Sequence, residues 1–85
     1  MNLKNKKVII TGATGGIGNS LVKKFSENGS IVLATGTKED KLNDLKNKFS
    51  NTQIEKFNLG DHSKIESFIE SADNKLGGLD ILINN

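Results

Sequence analysis

Cysteine, proline, tyrosine and tryptophan are all absent from this 85-residue sequence, and histidine occurs once. Without cysteine there can be neither a disulfide nor a thiolate metal site, a composition that suits a reducing compartment. No proline-rich or serine-rich linker, internal repeat or low-complexity tract interrupts the chain, so residues 1–85 read as one unit. Long apolar runs are missing too. The N-terminus, Met1-Asn2-Leu3-Lys4, leads into the first strand without the apolar core of about 7–15 residues that marks a signal peptide. Nothing approaches the roughly 20 apolar residues needed to cross a bilayer. A soluble cytoplasmic protein with no membrane partner is the default expectation. Blocks of like charge are also lacking. The formal net charge is +2, and Lys4, Lys6, Lys7, Lys23, Lys24, Lys38, Lys41, Lys46 and Lys48 are interleaved with acids. They read as solvated surface rather than a nucleic-acid-binding face. His62, beside Asp61 at a helix start, reads as an exposed surface residue.

What is present is a regular alternation of strand and helix patterns. Lys7 to Thr11 predicts a first strand, and a helical period takes over at Ile17, Leu21, Val22 and Phe25, ending near Asn28 with Gly29 placed for a left-handed cap. Ser30 to Thr35 predicts a second strand, apolar on both faces at Ile31, Val32 and Leu33, as a sheet covered on each side requires. Thr37-Lys38-Glu39-Asp40 then predicts a threonine-capped helix with its stripe at Leu42, Leu45 and Phe49. A weaker third strand spans Gln53 to Leu59. The third helix, Ser63 to Leu76, carries Ile65, Phe68, Ile69, Ala72 and Leu76 on one face, with Asp61 or Ser63 as cap and Ser63 and Glu66 as a capping box. Gly77-Gly78 stops it, and Leu79 to Asn84 predicts a fourth strand. Such alternation argues for a parallel α/β sheet with right-handed crossovers. The most economical arrangement is the first half of a doubly wound, Rossmann-type sheet in the order 3-2-1-4, with a ligand crevice beyond the carboxyl ends of strands 1 and 4.

The stretch Val8 to Gly18, VIITGATGGIG, is the organising element: a buried strand, a glycine turn and a helix start. Glycines let backbone amides approach a ligand closely, and the helix start presents unpaired N–H groups with a partial positive charge, so a phosphate is the natural occupant. The spacing excludes a P-loop, because no Gly-Lys pair occurs in the chain. GxGxxG fails as well, since Leu21 stands where its last glycine would be. Two patterns fit equally: TGxxxGxG through Gly12, Gly16 and Gly18, and TGxxGxxG through Gly12, Gly15 and Gly18.

On these residues the chain resembles the short-chain dehydrogenase/reductases, whose "classical" branch uses the first spacing and whose "extended" branch uses the second. Two further marks favour the classical branch: Asn58-Leu59 at the end of strand 3, and Asp80-Ile81-Leu82-Ile83-Asn84-Asn85, which is similar to the start of that branch's NNAG signature. The resemblance implies that Gly12, Ala13, Thr14, Gly15, Gly16, Ile17 and Gly18 surround the pyrophosphate of a nicotinamide cofactor. It implies that the Asn58 side chain and the Leu59 backbone contact the adenine, that Asn85 lies by the ribose, and that Asn84 ties the sheet together. The corner after strand 2, Ala34-Thr35-Gly36-Thr37-Lys38, has no acid before Glu39. An acid there would repel a 2′-phosphate, whereas a hydroxyl and an ammonium can bind one, so NADP is expected with Thr37 and Lys38 as its phosphate contacts.

Within the branch, TGATGGIG, the Gly-Thr-basic corner and LGGLDILINN look most like the bacterial 3-oxoacyl-[acyl-carrier-protein] reductases of fatty acid synthesis. That likeness implies a carrier-linked acyl substrate and a homotetramer. One departure is Gly15, where many of those reductases carry arginine. The family's catalytic serine, tyrosine and lysine follow the NNAG signature, and this chain has no tyrosine, so no catalytic residue is assigned and the chain is expected to be the N-terminal, cofactor-binding portion of a longer reductase. Reduction of another small ketone or sugar, and a dinucleotide-binding sensor without turnover, remain as alternatives.

Overall fold

The computed structural model describes residues 2–58 and 60–85. Its elements run in the order β1 (Lys7–Ile10), α1 (Gly16–Glu27), β2 (Ile31–Gly36), α2 (Glu39–Lys48), β3 (Gln53–Lys56), a 3-10 turn (His62–Lys64), α3 (Ile65–Leu76) and β4 (Ile81–Ile83). The strands form one parallel sheet in the order β3-β2-β1-β4, which is the expected half of a Rossmann sheet.

Side-chain alternation along β1 and β2 separates the apolar residues into two layers. Val8, Ile10, Val32 and Ala34 face α1 and α2 and pack with Val22, Phe25, Leu42 and Leu45. Ile9 and Leu33 point to the other face and meet Phe68, Ala72 and Leu76 of α3. Both central strands are thus buried on both sides, which accounts for the unbroken apolar runs Val8 to Ile10 and Ile31 to Ala34. At the sheet border, Phe57 stacks on Phe68 with ring centroids 4.2 Å apart.

β4 is aligned at its start. The Lys7 N–H donates to the Asp80 carboxylate (2.9 Å) and the Asp80 N–H donates to the Lys7 carbonyl (2.8 Å), while the Lys7 ammonium bonds the Gly77 carbonyl at the end of α3. Asp80 therefore has a structural task in the strand-4 signature: it fixes the register of β4 against β1.

Several expectations are corrected. Thr37 does not cap α2, which begins at Glu39 after an extended Lys38 and has no side-chain cap; Glu39 and Asp40 in its first turn complement the helix dipole instead. The Ser63/Glu66 capping box is not formed, because a 3-10 turn precedes α3 and the Ser63 hydroxyl donates to Asp61 (2.7 Å). β3 ends at Lys56, although the Phe57 N–H still bonds the Gly36 carbonyl (2.9 Å). Ile17 is 70% exposed and Ile69 is 40% exposed, so neither is a core residue. The first turn of α1 overhangs the end of the sheet, and the side of α3 bearing Ile69 has no apolar neighbour among the described residues that buries it. Leu79 and Leu82 are exposed on the same side.

Ile9→Ala should destabilise the intact protein by about 2–5 kcal/mol, as expected for a fully buried aliphatic side chain. Ile17→Ala should change stability by less than about 0.5 kcal/mol. Urea denaturation of both variants reads the contrast.

Candidate functional site

The glycine turn links the end of β1 to α1 and is held from both sides. On the β4 side, the Thr11 N–H donates to the Ile83 carbonyl (3.0 Å), and the Thr11 hydroxyl accepts the Asn85 N–H (3.1 Å). The same hydroxyl has the Asn84 carboxamide oxygen (3.1 Å) and the Ile83 carbonyl (3.3 Å) as acceptors for its proton. The Asn85 carboxamide donates to the Gly12 carbonyl (3.0 Å). On the β2 side, the Ala13 N–H donates to the Thr35 carbonyl (2.9 Å).

Within the turn, the glycines have different reasons to be glycine. Gly12 has φ +58°, and a Cβ there would lie 2.8 Å from the Asn85 carbonyl oxygen. At Gly18 a Cβ would lie 2.4 Å from the Gly12 carbonyl oxygen and 2.6 Å from the Ala13 Cα, so the helix can pack on the turn only without a side chain. Gly15 and Gly16 are different. A Cβ at Gly16 meets nothing within 4 Å, and one at Gly15 meets only the Gly12 carbonyl at 3.9 Å. The fold does not require glycine at either place. At Gly16 the bare backbone lets an approaching ligand reach the amides.

Those amides are available. Among the described residues, the N–H groups of Thr14, Gly16, Ile17 and Gly18 have no acceptor within the chain. They sit at the start of a 12-residue helix whose dipole adds partial positive charge. The turn can therefore receive an anionic group from several directions at once, as a pyrophosphate demands.

Beside the turn is a hollow of about 220 Å³ at the carboxyl ends of the strands, lined by Gly12, Thr14, Thr35, Gly36, Thr37, Phe57, Asn58 and Asn85. It joins the glycine turn, the β2 corner and the strand-3 and strand-4 ends, the four places that the sequence singles out. Gly36 lies close under Thr14, whose methyl would be 3.0 Å from a Cβ at that position. Asn58 is exposed; its carboxamide oxygen accepts the Gly60 N–H (2.9 Å) and keeps a second lone pair for a ligand. Thr37 and Lys38 are exposed at the corner, Thr37 on the hollow's lining and Lys38 just beyond it. Leu59 lies outside the described residues.

A larger hollow of about 450 Å³ lies on the α3 side, between Ile9, Glu66, Ile69, Glu70, Asp73 and Leu79. Its three carboxylates would repel a phosphate, so the smaller hollow is the better match to a dinucleotide.

The family model described as short chain dehydrogenase matches residues 6–85. The chain belongs to the short-chain dehydrogenase family. A 3alpha-hydroxysteroid dehydrogenase from Mediterraneibacter gnavus is 38% identical over 91 residues, covering 100% of this chain and 36% of that protein. An uncharacterized oxidoreductase from Staphylococcus saprophyticus is 36% identical, covering 99% of this chain and 35% of its own length. The NADP-dependent 3-hydroxy acid dehydrogenase YdfG of Escherichia coli K12 is 33% identical, covering 92% and 32%. The solved structure of a short chain dehydrogenase from Bacillus anthracis superposes with a TM-score of 0.89 at 32% identity, over 100% of this chain and 36% of that one. The chain thus spans about a third of the length of the curated relatives it matches.

Two residues that hold the glycine turn escaped the sequence reading. Thr11 was legible as the threonine before the first glycine, but its hydroxyl's link to a residue 74 positions later was not. Asn19 donates from its carboxamide to the Ala13 and Gly15 carbonyls. The hint there is a weak helix former placed inside the first turn.

Thr11→Val keeps the side-chain shape and deletes the hydroxyl, leaving the Asn85 N–H without its acceptor. It should cost about 1–3 kcal/mol in urea unfolding of the intact protein, with Thr11→Ser recovering most of the loss. Gly18→Ala should cost a similar amount through overpacking, about 1–3 kcal/mol. Gly16→Ala should leave stability nearly unchanged, and calorimetric titration should show weakened dinucleotide binding.

Proposed function

We propose that the protein is an NADP-dependent oxidoreductase that reduces a 3-oxo compound, a 3-oxoacyl thioester carried on acyl carrier protein being the substrate that the sequence favours. This chain supplies the cofactor-holding portion. The observation that carries the reading is the turn at Gly15 and Gly16, where bare backbone borders open space and the Gly16 amide has no acceptor among the described residues.

The residues divide the dinucleotide among them. Thr14, Gly15, Gly16 and Ile17, seated on Gly12, Ala13 and Gly18, receive the pyrophosphate. Asn58 and the Leu59 backbone take the adenine, and Asn85 lies at the ribose. Thr37 donates a hydroxyl and Lys38 an ammonium to the 2′-phosphate; the chain has no arginine to serve there, and the first acid, Glu39, stands one residue further on. A bound nicotinamide supplies the hydride. The relative named as an NADP-dependent 3-hydroxy acid dehydrogenase supports both halves of this assignment, since a 3-hydroxy acid is the reduced counterpart of a 3-oxo one. The whole enzyme is a cytoplasmic homo-oligomer in this reading, a tetramer by family likeness.

A second substrate reading has its own support. The relative named as a 3alpha-hydroxysteroid dehydrogenase favours a ring ketone with no thioester.

Lys38→Ala should lower the ratio of kcat/KM for NADPH over NADH by about tenfold to a hundredfold, the worth of one charge-assisted hydrogen bond. An unchanged ratio removes Lys38 from the 2′-phosphate. A substrate panel of a 3-oxoacyl thioester, a 3-hydroxy acid and a 3α-hydroxysteroid decides the second question, and turnover of the steroid alone would overturn the thioester assignment.

A further inference from the structure

We propose that Asn19 is a positioning residue for the anion cradle: its carboxamide aims the Thr14 and Gly16 amides at the site where the dinucleotide's pyrophosphate binds. The inference rests on the dinucleotide reading above. Asn19 lies in the first turn of α1 and is half-buried. Its Nδ2 donates to the Ala13 carbonyl (3.1 Å) and to the Gly15 carbonyl (2.9 Å), so both of its protons are used on the turn. In a trans peptide the C=O and the following N–H point in opposite directions. The Gly15 carbonyl also accepts the Asn19 backbone N–H (2.9 Å), so the carboxamide adds a second hold there, whereas at Ala13 it alone links the carbonyl to Asn19. Holding these two carbonyls toward Asn19 turns the Thr14 and Gly16 N–H groups away from it, and among the described residues neither meets an acceptor in the chain.

The remaining amides of the turn have other uses. The Ala13 N–H is taken by Thr35, and the Gly15 N–H leans on the Gly12 carbonyl at 3.5 Å. Successive peptide planes are thereby sorted, those at 12–13 and 14–15 bonding within the protein while those at 13–14 and 15–16 present donors outward. Asparagine is a poor choice for helix stability at this position. A residue with two protons on one atom is what the two carbonyls need; aspartate, serine and leucine all offer fewer. Donors already oriented in the free protein need no reorganisation when an anion arrives.

The test is calorimetric titration of the intact wild-type protein, Asn19→Leu and Asn19→Asp with NADP+, NAD+ and adenosine 2′-monophosphate, which carries adenine, ribose and its phosphate but no pyrophosphate. Asn19→Leu should weaken dinucleotide binding about tenfold, the equivalent of roughly one hydrogen bond, and leave adenosine 2′-monophosphate within about twofold. Asn19→Asp, of the same shape but without donors, should weaken the dinucleotide at least as much. The amide proton signals of Thr14 and Gly16 should shift in the free variants. If Asn19→Leu does not fold, Asn19→Asp and Asn19→Ala carry the same comparison. A wild-type protein that binds neither dinucleotide removes the underlying reading. A wild-type protein that binds while the variants bind equally well overturns the positioning role alone. So does an equal loss of affinity for the dinucleotide and the monophosphate, which marks a general loosening.

Discussion

The hydroxyl of Thr11 is the junction on which the site depends. A single oxygen at the end of β1 accepts the Asn85 amide and offers its proton to Asn84 or Ile83, so β1 and β4 are joined at the point where the glycine turn departs. The Ala13 to Thr35 bond then holds the opposite side of the turn to β2. A loop rich in glycine loses much conformational entropy on ordering. Two flanking strands hold this one in a single shape, and the shape directs its amides toward solvent.

The consequence is a division of labour among neighbouring residues of one type. Gly12 and Gly18 are needed by the protein, one for its left-handed backbone and one for the contact between helix and turn. Gly15 and Gly16 are not needed by it, and the space above them is what a ligand would use. The two candidate spacings of the glycine pattern differ only in which of these free positions they count. For that reason the pattern alone does not separate the two branches, whereas the strand-3 and strand-4 ends do bear on it.

Much of the fold was legible because it follows from local signals that tertiary structure reinforces. The apolar runs at Val8–Ile10 and Ile31–Ala34 required cover on both faces, and the two layers of the core provide it. Gly29, with φ +81°, ends α1 as its position suggested. The misses have a common cause: a periodic pattern says which face a residue occupies, but not whether that face has a neighbour. Ile17 and Ile69 keep the helical period and are nonetheless exposed, one beyond the end of the sheet and one beside the uncovered side of β4. The caps failed for a different reason. At Thr37 and Ser63 the backbone entered its helix later than the side-chain chemistry allowed, after an extended Lys38 in one case and a 3-10 turn in the other. In the site, Gly12, Thr14, Thr37, Asn58 and Asn85 were legible and do share one hollow. Asn19 was not, because its carbonyl partners become neighbours only after the turn has closed.

Thr11 and Asn85 are 74 residues apart, and β1 pairs with β4 only across that whole separation. During synthesis from the N-terminus, β1, α1 and β2 can assemble while one border of β1 still has no partner strand. The clasp on the turn waits for the ribosome to release Asn84 and Asn85. Until then the glycine segment is held on its β2 side alone, through the Ala13 to Thr35 bond, and its anion-capturing shape is completed in one step when β4 docks. The long loop that must close first makes this a slow step relative to the helices of the same chain.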